Sequence, residues 1–292
     1  MVNNMIKNVL LALTLGTCIY PLSALAENQD PLINTVKQEE SSLQARIGFA
    51  VFDAKDNSMR NYRGNERFPI NSTHKVLSCA ALLANVDHGH STLGDKVSFD
   101  QSKLVDYSPV TKDRIQPKTM TLGELCAAAV SYSDNTAANL VFDHIGGPQG
   151  LTTFLRGMND LVTRSDRTEP TLNEAVPGDL RDTSTPISMS HTIAKLVLGD
   201  TLSATSKTQL GQWMKDDKVA DALLRSVLPA GWIIGDKTGA GGYGSRSIVA
   251  VVWPPKRQPL VISIYITQTK ASMARSNQAI ARIGSAIFSQ YH

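Results

Sequence analysis

The chain has 292 residues, 42% hydrophobic and 19% charged, a balance that excludes a disordered tail, a coiled coil and a collagen-like rod. At this length one compact unit and two intimately packed subdomains are both open. The formal net charge is +3 with Lys and Arg scattered along the chain, which leaves no electrostatic footprint for a nucleic-acid partner.

Lys7 precedes an apolar run from Val9 to Ile19, and Ala24-Leu25-Ala26 supplies small residues around a cleavable bond, so residues 1–26 read as a secretory signal peptide. A retained anchor and a lipoprotein signal at Cys18 are the alternatives; the run is short for a bilayer and Thr17 is large for a lipoprotein site. Export is expected to a disulfide-permissive compartment, the periplasm. There the mature chain keeps Cys79 and Cys126 as an even pair and no membrane association.

Asp30 before Pro31 is a helix start, and Leu32, Val36 and Leu43 then recur at helical spacing. Ile47, Phe49 and Val51 alternate with smaller residues, and Lys55-Asp56-Asn57 turns the chain into a second run around Met59 to Tyr62, a hairpin. From Ser72 to Asp217 strand patterns nearly vanish. That stretch reads as helices, one of them opened by a Thr121-x-x-Glu124 capping box. Strand character returns at Trp232–Asp236, Ser247–Trp253 and Leu260–Thr267, and a final helix carries Met273, Ile280, Ile283 and Ile287 on its buried face. The fold class that follows is α+β: an antiparallel five-stranded sheet flanked by the N- and C-terminal helices, residues 27–68 and 218–292, with an all-helical subdomain, residues 69–217, inserted between them.

Three short motifs carry chemistry. In Ser72-Thr73-His74-Lys75 the serine opens a buried helix, and residues three apart share a face. Lys75 can therefore point its amine at the Ser72 hydroxyl, while the Ser72 N–H is an orphan donor of the helix start. Ser133-Asp134-Asn135 places a hydroxyl and an amide at a helix junction, suited to proton relay and substrate hydrogen bonding. Lys237-Thr238-Gly239-Ala240 arrives at the end of an apolar strand, where Lys237 and Thr238 can bind an anionic group and the Ala240 N–H can complete an oxyanion hole with that of Ser72. Alone, each motif has a plainer reading: an N-cap with a solvated lysine, an N-cap cluster, a strand entering a glycine-rich turn.

Together and in this order, the three motifs resemble those of the serine penicillin-recognising enzymes. Over nearly the whole mature chain, from about Leu32 to Phe288, the sequence resembles the class A β-lactamases, with the β-lactamase/transpeptidase-like fold. Gly147-Pro148, Arg225 through Trp232 and Ala271-Ser272-Met273-Ala274 look most like the carbenicillin-hydrolysing (penicillinase) subgroup.

The resemblance implies that Ser72, Lys75, Ser133, Glu169 and Lys237 are catalytic, and that the backbone of Ser72 and Ala240 forms the oxyanion hole. It also implies that Tyr107, Asn135, Asn173, Thr238, Gly239 and Arg246 bind substrate. Arg167-Thr168-Glu169-Pro170-Thr171-Leu172-Asn173-Glu174 looks like the family's E-x-x-L-N motif, with Glu169 as the base for the deacylating water and Asn173 as its second ligand. The family's Arg167–Asp182 salt bridge would pinch an Ω-loop over residues 167–182, a cis bond would precede Pro170, and Cys79 would be disulfide-bonded to Cys126.

The implied activity is hydrolysis of the β-lactam amide of penicillins, carboxypenicillins included, and of some cephalosporins, conferring antibiotic resistance. The expected enzyme is a monomer with no cofactor and no metal, its partner a small-molecule β-lactam. His88-Gly89-His90 reads as a surface turn. Departures from the family are His74 where Phe is common, Thr168 where Trp is common, and Lys237 where the carbenicillin-hydrolysing relatives usually carry Arg. Asn71 and Gly241 stand where a carbapenem-hydrolysing subgroup has a Cys pair, so carbapenem turnover is not expected. A penicillin-binding D,D-peptidase would share the first three motifs, and Glu169 is the discriminating residue. A β-lactam-sensing or peptidoglycan-binding domain is the non-catalytic rival.

Overall fold

The computed structural model describes residues 30–291; the signal-peptide expectation lies outside them. Helix α1 (Pro31–Leu43) starts where Asp30 Oδ1 accepts the Leu32 N–H at 3.0 Å. The hairpin β1 (Arg46–Asp53) and β2 (Ser58–Tyr62) follows, then the short β3 (Phe68–Pro69) and helix α2 (His74–Asp87). Next come β4 (Lys96–Val97), β5 (Met120–Thr121), α3 (Leu122–Ser131), α4 (Asn135–Ile145) and α5 (Gly147–Gly157). The chain closes with β6 (Thr183–Ser184), α6 (Pro186–Val197), α7 (Ala204–Lys215), β7 (Ile233–Ala240), β8 (Arg246–Trp253), β9 (Leu260–Thr267) and α8 (Met273–Phe288).

The five long strands pair antiparallel in the order β2-β1-β9-β8-β7, the sheet expected from the two ends of the sequence. Both faces of this sheet are covered, which is why β8 and β9 read as nearly unbroken apolar runs rather than alternating ones. Ile248, Ala250, Val252, Ile262, Ile264 and Ile266 pack with Leu32 and Val36 of α1 and Ile280, Ile283 and Ile287 of α8. Val249, Val251, Val261 and Tyr265, on the opposite face, join the core of the inserted helices. Each such Val, Leu or Ile side chain taken fully out of water contributes about 1.5–3 kcal/mol.

At the centre of the helical layer α2 is buried at every position from His74 to Ala84, as its apolar run requires, with His74, Lys75 and Ser78 buried along with it. It packs against α3, α4, α5 and α7, while α6 packs on β1 and β9. The capping box forms, with the Glu124 N–H bonding Thr121 Oγ1 and the Thr121 N–H bonding Glu124 Oε2. Two expectations need correction. The strand expected to end at Asp236 continues to Ala240, because main-chain pairing such as Lys237↔Val249 persists where the apolar run stops. Met273, expected on the buried face of the last helix, is 58% exposed, since the first turn of α8 overhangs the core that buries Ile280. Among the described residues no helix is long and apolar enough to cross a membrane.

Candidate active site

Ser72 lies in a 3-10 turn, Asn71–Thr73, that leads into α2. Asn71 takes a left-handed φ of 45°, which an Asn tolerates better than most residues. One turn on, Lys75 Nζ donates to Ser72 Oγ at 3.0 Å, to Ser133 O at 2.8 Å and to Asn135 Oδ1 at 2.6 Å. The side chain is wholly buried, and burial depresses its amine below the ordinary lysine range while Glu169 opposes the shift.

The Ser133-Asp134-Asn135 segment does both things its residues allow. Asp134 is the N-cap of α4, Oδ1 taking the Ala137 N–H at 2.8 Å, and its Oδ2 accepts the Val110 and Thr111 amides, each at 2.9 Å. It thereby anchors the loop that carries Tyr107, whose carbonyl accepts the Asn135 N–H at 2.9 Å. Ser133, at φ 61°, is held in a conformation that turns both its carbonyl and its hydroxyl toward Lys75, the hydroxyl at 3.4 Å.

Strand β7 is an edge strand, and its free edge faces the Ser72 turn. The Gly241 N–H bonds Ser245 O at 3.1 Å. By the alternation of an antiparallel ladder, the Ala240 N–H then points away from β8 and out of that edge, toward the Ser72 side. The approach is close enough to require glycine at 239, where a Cβ would lie 2.9 Å from the Ser72 nitrogen and 2.7 Å from Asn71 Cβ.

Lys237 is buried, its Nζ donating to Thr238 O at 3.0 Å, and its amine is lowered to about 8. Burial is the main cause, Asp217 opposes it, and repulsion from Lys75 and Arg246 adds to it. Arg246 donates to Gly239 O at 3.0 Å and to Asn277 Oδ1 at 2.8 Å, and burial lowers it to about 10 against the pull of Asp217.

The fourth wall is the segment 167–182. Arg167 Nε meets Asp182 Oδ2 at 2.6 Å, and Asp182 Oδ1 also accepts the backbone N–H groups of Asp166 (2.7 Å) and Arg167 (3.0 Å). Glu169 is gripped through its backbone, its N–H donating to Asn139 Oδ1 and its carbonyl accepting from Asn139 Nδ2, both at 2.9 Å. Its side chain has no solvent exposure. Oε1 lies 3.3 Å from Ser72 Oγ, 3.0 Å from Lys75 Nζ and 3.2 Å from His74 Nε2, and Oε2 accepts from Asn173 Nδ2. Burial alone would raise this carboxyl; the Lys75 charge and His74 outweigh it and hold it at about 2. The Glu169–Pro170 bond is cis, Thr168 is exposed at the surface, and Cys79 is bonded to Cys126, joining α2 to α3.

The cleft between these walls has a volume of about 340 Å³, within the range of small-molecule sites. Ser72, Tyr107, Ser133, Asn135, Asn173, Thr238, Gly239, Ala240 and Arg246 line it, and Lys75, Glu169 and Lys237 lie just behind. Tyr107 stands at the mouth, 57% exposed at φ 62°. Sequence reasoning missed Val219 and Met273 in the lining, and it missed Asn139 and the His74–Glu169 contact. Asn139 was findable, since it lies one turn after Asn135 on the same face of α4; His74 and Glu169 are 95 residues apart, with no local signal. His88 and His90 are exposed just past the end of α2, and among the described residues no group of three His, Cys, Asp or Glu is placed to hold a metal ion.

A hydroxyl against a buried amine and a buried carboxylate, facing converging N–H groups in an open cleft, is the equipment for acyl transfer through a seryl ester. Known proteins agree. Residues 31–291 match the Beta-lactamase enzyme family. Beta-lactamase AER-1 of Aeromonas hydrophila is 60% identical over 264 residues, 90% of this chain and 87% of that protein. Among solved structures, an ancestral (GNCA) class A beta-lactamase superposes with a TM-score of 0.87 at 46% identity, over 89% of this chain and 99% of that one. The chromosome-encoded beta-lactamase of Vibrio parahaemolyticus does so with a TM-score of 0.86 at 45% identity, over 89% and 98%.

Proposed function

The chain belongs to the class A serine β-lactamase family and is a hydrolase of that type, and from this premise we propose how its own residues divide the reaction. Ser72 Oγ attacks the β-lactam carbonyl, its proton passing to Lys75 or, through water, to Glu169. The developing oxyanion lies between the Ser72 and Ala240 N–H groups. The ring C–N bond breaks as Ser133, with Lys237 beside it, delivers a proton to the departing nitrogen, leaving an ester on Ser72. Glu169, oriented with Asn173, then removes a proton from water as that water attacks the ester and frees Ser72 with the opened product. Thr238, Arg246 and Lys237 bind the substrate carboxylate, Asn135 and Gly239 hold its amide end, and Tyr107 stacks at the mouth. Arg167 and Asp182 close the ends of an Ω-loop.

The observation that carries this reading is the placement of Glu169 Oε1, 3.3 Å from Ser72 Oγ on a segment tied down at Arg167 and Asp182. A D,D-peptidase has no need of a carboxylate there. Mass spectrometry of Glu169→Ala exposed to benzylpenicillin is the test: the adduct persists at the mass of bound penicillin. Parent-rate turnover by the variant sinks the assignment of the base. For substrates we propose penicillins, carboxypenicillins among them, and some cephalosporins, with resistance as the outcome. A hydrolysis panel of benzylpenicillin, carbenicillin, cephaloridine and cefotaxime checks the ranking. We further propose export by a signal peptide cleaved after Ala26, periplasmic residence and a monomeric enzyme.

A further inference from the structure

His74 packs as an aromatic ring but touches the site as a polar group. It opens α2 and is wholly buried, its ring flat against Phe142 of α4 with centroids 4.9 Å apart and 8° between planes. Packing thus sets the plane of the imidazole. One nitrogen, Nε2, is aimed at Glu169 Oε1 at 3.2 Å, while Nδ1 is buried with no partner. An apolar ring would fill the same space; a nitrogen facing the carboxylate is additional.

These contacts fix the tautomer. A proton on Nδ1 would bury an unpaired donor and set the Nε2 lone pair against a carboxylate oxygen, two acceptors face to face. A doubly protonated ring would orphan the Nδ1–H as well, and burial depresses the basicity of His74 even though Glu169 pulls the other way. The arrangement that remains is a neutral ring with its proton on Nε2, donating to Glu169. Resting on Glu169 as the base, we propose that His74 is a positioning residue for deacylation: its Nε2–H holds Oε1 of Glu169 ionised and turned toward Ser72, and sets the acid limb of hydrolysis.

A donor favours the charged form of its acceptor, so removing it lets the carboxyl take a proton at higher pH. The other groups facing the pair are Lys75 on α2, the Ser72 hydroxyl, which also donates to Oε1, and the neutral amide of Asn173, while Asn139 holds only the Glu169 backbone. Farther out, Asp134 acts on Lys75, Asp182 acts on His74, and Lys75 in turn acts on Lys237 of β7. None of these changes in a His74 variant, so a moved limb reports on the imidazole.

The experiment is a pH profile of kcat and KM for benzylpenicillin with the parent enzyme, His74→Phe and His74→Gln. The Phe variant keeps a ring against Phe142 and loses the donor; the Gln variant offers an amide N–H in place of Nε2–H. The acid limb of kcat moves up by about half a pH unit or more in His74→Phe, so that kcat at the acid end falls about threefold or more relative to neutral pH, with KM changed less. His74→Gln recovers toward the parent.

Superposable acid limbs for the parent and His74→Phe overturn the proposal, as does a His74→Gln limb that stays with that of the Phe variant. Should His74→Phe fail to fold, long-range ¹⁵N NMR of the parent decides: a proton on Nε2 supports the proposal and a proton on Nδ1 overturns it. An unmoved limb while Glu169→Ala still traps the adduct sinks His74 alone, whereas parent-rate turnover by Glu169→Ala sinks the base assignment itself.

Discussion

The two walls of the cleft are built in opposite ways. Ser72, Lys75, Ser133 and Asn135 hang from the starts of α2 and α4 and face β7, elements fixed by main-chain ladders and a disulfide between α2 and α3. Glu169 and Asn173 ride on an irregular segment whose only regular piece is a single 3-10 turn, Thr171–Asn173. A few separate contacts hold that segment: Asn139 grips the Glu169 backbone, Asp182 takes Arg167 and two amides, and one main-chain bond runs from the Gly242 N–H to Asn173 O at 2.8 Å. A helix start loses little when one polar contact goes, because its ladder remains. A segment held by a handful of contacts shifts as a unit. Forming the ester and clearing it are therefore separable by mutation.

The sharpest way to break the comparison is Glu169→Ala, which removes a side chain carried by the irregular wall together with its contacts to Ser72, Lys75 and His74. Deacylation falls by about 10²–10⁴, the usual worth of a general base, while the rate of ester formation in a single turnover stays within about tenfold of the parent. Equal losses in both steps would mean that the walls act as one, with Glu169 serving acylation as fully as deacylation.

Next in size is Arg167→Ala, which leaves Glu169 in place but removes the Nε–Asp182 contact and the bond to Glu174. Asp182, 1% exposed, then keeps its two amide donors and loses its cation. Deacylation drops by about tenfold to a hundredfold, as expected when a reacting group is misplaced by about an ångström, and the melting temperature falls as well, because the buried Asp182 carboxylate is left without its cation. An unchanged steady-state rate with a clearly lowered melting temperature would make this segment structural only.

What the sequence displayed follows the same division. The sheet was legible because β8 and β9 are covered on both faces and so are apolar at every step, and α1, α3 and α4 announced themselves through Asp30, the Thr121–Glu124 box and Asp134. Ser72 and Lys75 are three residues apart, where helix geometry predicts a shared face, and Ser133 and Asn135 sit two apart at a helix junction, so each motif is short enough to be read locally. The last half of β7 was hidden because Lys237, Thr238 and Gly239 interrupt hydropathy without interrupting pairing. The pairs β3–β6 and β4–β5 are two residues long, too short for any period to register. Nothing local linked His74 or Asn139 to Glu169; those contacts exist only once α2, α4 and the segment after Arg167 are packed together.

A smaller effect tests the regular wall at its Lys237 end, the part proposed to bind the substrate carboxylate. Lys237 loses its proton at about 8, well below a solvated lysine, because burial and the neighbouring cations Lys75 and Arg246 outweigh the pull of Asp217. The charge is present below that pH and lost above it. KM for benzylpenicillin therefore rises by about threefold to tenfold between roughly pH 7 and pH 9, with Arg246 retaining the rest of the attraction. Lys237→Arg, which cannot titrate in this range, flattens the rise. A KM that climbs equally in both enzymes would move the alkaline titration to another group.

The smallest effect on turnover is expected from cutting the covalent tie in the regular wall. Cys79 and Cys126 are both buried and join the helix that carries Lys75 and follows the Ser72 turn to the helix that precedes Ser133. The bond closes a loop of 47 residues, and removing it in Cys79→Ser with Cys126→Ser costs about 2–4 kcal/mol of folding stability through the freer unfolded chain. The native contacts of α2 with α4 and α7 do not depend on it, and neither do the three bonds from Lys75 Nζ to Ser72, Ser133 and Asn135. Turnover of benzylpenicillin well below the melting transition stays within about twofold of the parent, while urea unfolding shifts to lower concentration. A large loss of kcat at unchanged native circular dichroism would show that the ladders do not hold Ser72 and Ser133 in register by themselves, and the contrast between a self-supporting wall and a tethered one would fail on the side where it is strongest.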